Sequence, residues 1–508
     1  MDGSKQRSKV WLLSWVVILL AFIGWYFSNH FNSAPQPLQA VDCWFTSAAD
    51  WPRSQCYRFT LPEQHDTANS NQISIPVVIF FTDATENTAP PLLHLGGGGP
   101  GAAMWLDDDE MVELTWKSFY SASLLQGRNL ILIDPRGTGL SSPSLNCELY
   151  RINQTKRFSQ HLTLQQSFEQ SKQEYQQCIV QLQAEGIVLS AYNSLSVVQD
   201  IELLRRALGI EKWSLYGVSY GAVYAQLLAR YYPHTVEAMI FDSAAFIDAK
   251  LNRNDADYYL APYQMLERYC QHVADCDKPL PEFTHRLTHL IEKLNKSPVI
   301  LDLSDYDING VSEVLLDGNL LISAIMDGLY SADIYASLEQ IVLELEQDNG
   351  DAVTPFVAMY IWLLTDPSFA DISMMSHFCA EEVPFWPAQQ LQLTMLLLPE
   401  GHIRDMASLQ LQWPDTQHCQ LIGAKPAPVE LNQPLITDIP TLFLQGNLDV
   451  VTPLIDLQQR LDNFGNAKVE RYNLGHGVVG IEPCASARMA TFMRQPALNP
   501  TGPECKPD

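Results

Sequence analysis

One stretch limits what this chain can fold into: Trp213-Ser214-Leu215-Tyr216-Gly217-Val218-Ser219-Tyr220-Gly221. It reads as a short apolar run, then Gly-x-Ser-x-Gly, then a helical stretch from Ala222 to Tyr232. A serine on a sharp strand-to-helix turn presents its hydroxyl on strained backbone. Gly217 and Gly221 leave the turn room, because a Cβ at either position would crowd it. The helix that follows turns its unpaired N–H groups toward the serine. An ordinary strand-to-helix turn uses the same residue types. A base, an acid and an oxyanion-binding loop in the right chain order would separate the two cases.

All three are present. Pro91 to Leu95 is an apolar run bounded by turn residues, hence a strand. Gly96-Gly97-Gly98-Gly99-Pro100-Gly101 follows it directly. A flexible linker is also glycine-rich, but glycines straight after a buried strand, closed by Pro-Gly, suit close backbone approach to a ligand. Such a loop aims an N–H at an oxyanion, so the expected hole uses the N–H of Tyr220 and one from Gly98 or Gly99. Pro440 to Leu444 is a strand leading to Asp449, which sits in a Gly-x-x-Asp-x-x-Thr-Pro turn. The last strand, Ala467 to Tyr472, leads to His476 between Gly475 and Gly477. The order Ser219, Asp449, His476 is that of α/β-hydrolases. A serine hydroxyl is a weak nucleophile until a base takes its proton. Histidine titrates near neutrality and can take and return that proton. A carboxylate fixes the imidazole tautomer and stabilises the imidazolium.

The rest of the chain agrees with that order. Strands at Ile73 to Phe81, Leu130 to Ile133 and Val236 to Phe241 alternate with helical periods at Leu162 to Gly186 and Val197 to Leu208. Alternation of this kind predicts a mainly parallel sheet covered by helices on both faces. Asp134 and Arg136 follow the Leu130 strand and are expected to pair locally, bracing the loop beside the site. From 247 to 433 helical periods dominate, so an inserted, mostly α-helical cap is expected. The expected organisation is a basic tail at 1–9, an anchor or signal segment at 10–27, a linker at 28–42, the α/β domain at 43–246, the cap at 247–433 and the rest of the α/β domain at 434–508. No metal site and no cofactor is expected.

Charge and cysteine content narrow the setting. The 508 residues carry 58 acidic and 31 basic side chains, a net charge of -27, which repels nucleic acid. Lys5, Arg7 and Lys9 precede Val10 to Phe27, a stretch without a charge. That pattern suits an uncleaved anchor with the basic end in the cytoplasm and the catalytic body on the periplasmic or extracellular side. Secretion after signal cleavage is the alternative, although Asn32-Ser33-Ala34 and Leu38-Gln39-Ala40 are poor cleavage sites. The ten cysteines suit an oxidising compartment. Spacing does not fix their connectivity; neighbour pairing gives Cys43–Cys56, Cys147–Cys178, Cys270–Cys276, Cys379–Cys419 and Cys484–Cys505.

Together, Leu95 to Gly101, Asp134 to Ser141, Gly217 to Gly221, the Asp449 turn and Gly475-His476-Gly477 resemble the proline iminopeptidase and tripeptidyl aminopeptidase family of α/β-hydrolase serine exopeptidases. The histidine that usually precedes the family's glycine-proline loop is replaced by Gly97. Pro440 to Cys505 is similar to the tripeptidyl aminopeptidase C-terminal region. The resemblance implies an aminopeptidase that releases tripeptidyl or prolyl pieces from peptides with a free N-terminus. It also implies an acidic cap residue for the substrate amine, with Glu381 ahead of Glu382 as the candidate in Cys379-Ala380-Glu381-Glu382; two solvated loop glutamates would look the same. A carboxylesterase is the nearest rival. A non-catalytic binding protein of the same fold is the more distant one, and it predicts a damaged triad.

Overall fold

Runs that are apolar on both faces form the middle of one sheet: Leu92–Leu95 (β4), Leu130–Ile133 (β5), Trp213–Val218 (β6) and Thr441–Gly446 (β10). Around them lie Leu38–Val41 (β1), Ser54–Pro62 (β2), Gln72–Phe80 (β3), Val236–Asp242 (β7) and Ala467–Tyr472 (β11). The structure, a computed structural model, describes residues 38–498 apart from 48–50, 83–88, 118, 120–126, 250–255, 257–258, 262, 265–281, 307, 387 and 411–412. Among these residues the strand order is β1-β2-β3-β5-β4-β6-β7-β10-β11. Strands β5 to β11 in that row pair in parallel, and β1, β2 and β3 add an antiparallel edge. Side chains alternate across the sheet with period two. Trp213, Leu215, Ile131, Ile133 and Phe443 enter one core layer, while Tyr216, Leu130, Leu132, Leu442 and Leu444 enter the other. Each such fully buried side chain contributes about 1.5–3 kcal/mol of hydrophobic stabilisation.

Before the cap come the helices Glu148–Arg157 (α1), Leu164–Ala184 (α2), Ser194–Ala207 (α3) and Gly221–Tyr231 (α4). Between β7 and β10 lie Phe283–Lys296 (α5), Gly318–Gly328 (α6), Ala332–Leu345 (α7), Thr354–Thr365 (α8), Asp371–Glu381 (α9), Ala388–Leu397 (α10), His402–Gln410 (α11) and Thr416–Ile422 (α12). A short antiparallel hairpin, Val299–Asp302 (β8) with Glu313–Leu316 (β9), joins them. The cap has its own core, built on Leu287, Leu321, Ile325, Leu338 and Val357, and this core also takes in Leu448 and Val450 on either side of Asp449.

Three expectations change. The linker assigned to 28–42 ends in strand β1, which pairs with β2 from Leu38↔Phe59 to Val41↔Cys56. The cap is made from two stretches rather than one, because α1 and α2 lie against it. Arg151 of α1 pairs with Asp371 of α9 at 2.9 Å, and Lys172 of α2 pairs with Asp415 at 2.6 Å. Asp134 is held in part within its own loop, but Arg136 reaches away from it. Asp134 accepts from the N–H groups of Met104 (2.7 Å) and Leu140 (2.8 Å), whereas Arg136 forms a bidentate pair with Asp200 of α3. Each brace therefore runs to a different element. The anchor segment 10–27 lies outside the described residues. Among those described, no helix is long and apolar enough to cross a membrane.

Disulfides join Cys43 to Cys56, Cys147 to Cys178 and Cys379 to Cys419. Cys484 is also disulfide-bonded. Cys270, Cys276 and Cys505 lie outside the described residues. Bonds of this kind point to an oxidising, extracytoplasmic setting.

Candidate active site

Parallel strands deliver the candidate residues to one edge of the sheet. Ser219 follows β6 with φ +51°, a left-handed value that costs a non-glycine residue on the order of 1–3 kcal/mol. Its glycine neighbours are sterically required. A Cβ on Gly221 would lie 1.9 Å from the Leu95 carbonyl oxygen, and one on Gly217 would lie 2.8 Å from the Ala222 backbone. Ser219 N–H donates to Asp242 O at 3.0 Å, and Ser219 O accepts from Ala245 N–H at 3.1 Å. Helix α4 starts here with no side-chain cap; its Ala222 and Val223 N–H groups turn back to Ser219 O (3.1 Å) and Tyr220 O (2.9 Å).

The glycine loop runs against the serine. A Cβ on Gly97 would lie 3.1 Å from Ser219 Cβ. Gly98 and Gly99 hold φ values of 85° and 69°, which bend the chain away after the approach. Among the described residues, the N–H groups of Gly98 and Tyr220 have no hydrogen-bond acceptor. Unsatisfied donors beside a serine are what a developing oxyanion needs.

His476 Nδ1 lies 3.0 Å from Asp449 Oδ2. The Asp449 side chain is fully buried and held by its own turn. Oδ1 accepts from the N–H groups of Val451 and Thr452, each at 2.9 Å, and Oδ2 accepts from Gln445 Nε2 at 3.2 Å. The Thr452 hydroxyl lies 2.7 Å from Asp449 Oδ2, 2.9 Å from Ser243 O and 3.2 Å from His476 Nδ1. Burial pushes the Asp449 carboxyl up, but the His476 charge and the hydrogen bonds outweigh it and hold the carboxyl below its ordinary value. Burial pushes the His476 imidazole down, yet the Asp449 charge and hydrogen bond, with the charge of Asp242, carry it above its ordinary value. The two shifts agree with an ion pair in which the histidine holds its proton more tightly.

Some supporting residues give no local signal in the sequence. Asp242, at the end of β7, accepts from Val478 N–H (2.8 Å), Val479 N–H (2.9 Å) and Tyr216 OH (2.8 Å). Ser243 Oγ accepts from Gly477 N–H at 2.8 Å. Residues 242 and 243 thus bind both the Ser219 turn and the His476 loop. Tyr330, between α6 and α7, stacks edge-on to His476 at 5.0 Å and accepts its N–H at 2.8 Å. Only Thr452 was legible, as the threonine of the Asp449 turn.

Glu381 and Glu382 are not solvated loop residues: they are 9% and 7% exposed, at the end of α9. Both line a small cavity with Tyr220, Val223, Phe246 and Leu431. Glu381 Oε1 accepts from Ser194 N–H at 2.7 Å, and Oε2 lies 2.7 Å from Ser194 Oγ and 3.2 Å from Tyr220 OH. Burial and the charge of Glu381 push the Tyr220 phenol well above its ordinary value, so the hydroxyl stays a donor. Among the described residues no cluster of histidine, cysteine and acidic side chains fits a metal ion.

A sheet of this order, with a serine on a strained turn after β6 and an acid and a histidine after β10 and β11, defines an α/β-hydrolase. The chain has that fold: the family described as alpha/beta hydrolase fold matches residues 90–269, and the family described as TAP-like protein matches residues 408–505. Among curated relatives, YuaR of Escherichia coli K12 is 25% identical over 50% of this chain and 50% of its own length. Serine protease Hip1 of Mycobacterium tuberculosis H37Rv is 22% identical over 60% of this chain and 58% of its own. Tripeptidyl aminopeptidase of Streptomyces coelicolor is 26% identical over 39% of this chain and 37% of its own. The chain therefore spans about half the length of the curated relatives it matches first. Among solved structures, a proline iminopeptidase from Mycobacterium smegmatis matches with 14% identity and a TM-score of 0.38, over 84% of this chain and 96% of that one.

Proposed function

We propose that this chain is an exported serine aminopeptidase that releases a short N-terminal piece from peptides through an acyl-enzyme. The observation that carries the proposal is the common anchorage of the site: residues 242 and 243 hold both the strained Ser219 turn and the loop of His476, itself paired with Asp449. The names of Hip1, a serine protease, and of tripeptidyl aminopeptidase support peptides as the substrate class. Held by Asp449, His476 Nδ1 keeps its proton and Nε2 serves as the base. Ser219 Oγ attacks the scissile carbonyl and its proton passes to Nε2. The oxyanion is taken by the N–H of Tyr220 and that of Gly98 or Gly99. The C–N bond then breaks as the histidine returns the proton to the leaving amine. Water repeats the sequence on the acyl ester and frees the N-terminal piece as a carboxylate.

The Glu381–Glu382 end of the cavity takes the free amine. A charge-assisted hydrogen bond of this kind contributes about 1.5–3 kcal/mol. Residues 10–27 tether the catalytic body to a membrane, their charge-free run following three basic residues. A panel of fluorogenic tripeptidyl and aminoacyl amides, with free and blocked N-termini and simple acyl esters alongside, tests the proposal. The expected result is turnover of free-amine peptides at least tenfold above blocked ones, together with fluorophosphonate labelling that Ser219→Ala abolishes. Ester turnover without amide turnover would make the chain an esterase, and labelling that survives Ser219→Ala would remove the serine from its role.

A further inference from the structure

Helix α9 touches both halves of the proposed oxyanion hole. Just ahead of its first turn, Ala370 N–H donates to Gly101 O at 2.8 Å. A Cβ on Gly101 would lie 2.8 Å from Ala370 O and 3.0 Å from the Phe369 ring, so the glycine loop is seated on this corner. At the other end of α9, Glu381 reaches Tyr220 OH and the first residue of α3, Ser194. Ser194 Oγ is in turn 2.9 Å from Tyr220 OH. The helix itself is tied down by the Arg151–Asp371 ion pair at its start and the Cys379–Cys419 bond near its end.

We infer that α9 sets the oxyanion hole, with Glu381 a positioning residue that holds Tyr220, and Phe369 and Ala370 holding the Gly98–Gly101 loop. The inference rests on the roles given above to Ser219, Tyr220 and the glycine loop. The physical need is clear. A donor displaced by about 1 Å loses roughly 100-fold in rate, and the Tyr220 N–H is carried by a residue whose side chain ends in this buried triangle of oxygens. The carboxylate oxygens accept from a main-chain N–H and two hydroxyls at once, which fixes the ring and therefore the peptide plane beside Ser219. Glu381→Gln keeps the shape but turns an N–H₂ toward a main-chain N–H or a hydroxyl.

The test uses the full chain and one tripeptide sequence in two forms, a free-amine amide substrate and the matching free-amine boronate. The boronate adds the serine oxygen and places a tetrahedral oxygen in the hole; the amide in its ground state does not. Loss of boronate binding in Ser219→Ala establishes the serine role first, and unchanged binding there would bring down that role and this inference with it. For Glu381→Gln, kcat is expected to fall about 100-fold, the boronate inhibition constant to rise by the same factor, and KM to stay within about twofold. If instead KM and the inhibition constant rise together while kcat is unchanged, Glu381 reads the substrate amine and the inference is wrong. Tyr220→Phe is a milder second variant that leaves the Glu381–Ser194 contact intact. It is expected to lower kcat about tenfold at unchanged KM, and an unchanged kcat in the folded variant would overturn the inference even if Glu381→Gln failed to fold.

Discussion

The two ends of the candidate site are held in different ways. Asp449 is gripped by donors that lie within four residues of it: Gln445, Val451 and Thr452. Tyr220 is gripped by Glu381, 161 residues further along the chain. The donors to the acid thus come from its own turn, although Leu448 and Val450 beside it pack into the cap core and His476 N–H reaches Tyr330 of the cap. The Tyr220 side chain is held by a carboxylate of the cap itself. Loosening the cap should therefore disturb the Tyr220 end more than the donors to Asp449.

The largest expected effects break the core chemistry on which both ends converge. Ser219→Ala should lower kcat by on the order of 10⁶ and Asp449→Asn by about 10⁴, with melting temperatures near wild type. A kinetic assay on a free-amine tripeptide amide checks both, and an Asp449→Asn loss below tenfold would deny the carboxylate its orienting role. Next come two disulfides, one at helix α9 and one at the antiparallel edge of the sheet. Cys379→Ala with Cys419→Ala frees α9 and should lower kcat about tenfold. Cys43→Ala with Cys56→Ala closes no loop near the site; the chain-entropy model gives it about 3 kcal/mol of stability and no change in kcat. Thermal unfolding and kinetics on the two pairs would erase the distinction if both behaved alike.

The third effect is of similar size but confined to one class of substrate. Glu382→Gln should reduce kcat/KM about tenfold for free-amine peptides and leave acyl esters unchanged; equal losses on both would give Glu382 a purely structural part. The last is a displacement in pH. His476 must be neutral to act as a base, so kcat/KM should rise with pH through an imidazole value lying above the ordinary one. Asp242 contributes to that elevation. Asp242→Asn removes a negative charge that favours imidazolium, so the rising limb should move to lower pH. A pH–rate profile with an unmoved limb would restrict Asp242 to holding the Val478–Val479 backbone.

The local patterns of both ends were legible in the sequence, and the long-range contacts that hold them were not. Leu130–Ile133 and the Trp213 strand are short apolar runs buried on both faces, so composition alone marks them. The elbow glycines, the Asp449 turn and the glycine-flanked His476 are local patterns, and their chain order carried the rest. Strand β1 escaped because Leu38-Gln39-Ala40-Val41 is an edge strand with its middle exposed, and such a segment has no apolar signature. The β8–β9 hairpin was masked by the loop-like residues between its arms. The bond from Glu381 to Ser194 spans 187 residues, and no window of sequence contains both. Asp242 carries no local pattern, because its partners Val478 and Val479 lie 236 and 237 residues further along the chain. Glu381 and Glu382 were identified as a pair with an amine contact and a solvated loop as the two readings, because a buried helix C-terminus and a charged loop look alike in sequence.

The insertion of the cap between β7 and β10 also orders events in time. These strands pair directly, with Met239 opposite Thr441, although Ser243 and its partner Thr452 are 209 residues apart. A chain made from its N-terminus at about 5–20 residues per second completes the serine turn on the order of ten to forty seconds before the acid and histidine exist. During that interval the sheet stops at an open β7 edge, and the nucleophile has no base. A ribosome that stalls inside the cap leaves a harmless fragment. On the proposed mechanism, hydrolytic competence arrives only with the closing strands, so a hydrolase of this layout stays inert until they are made.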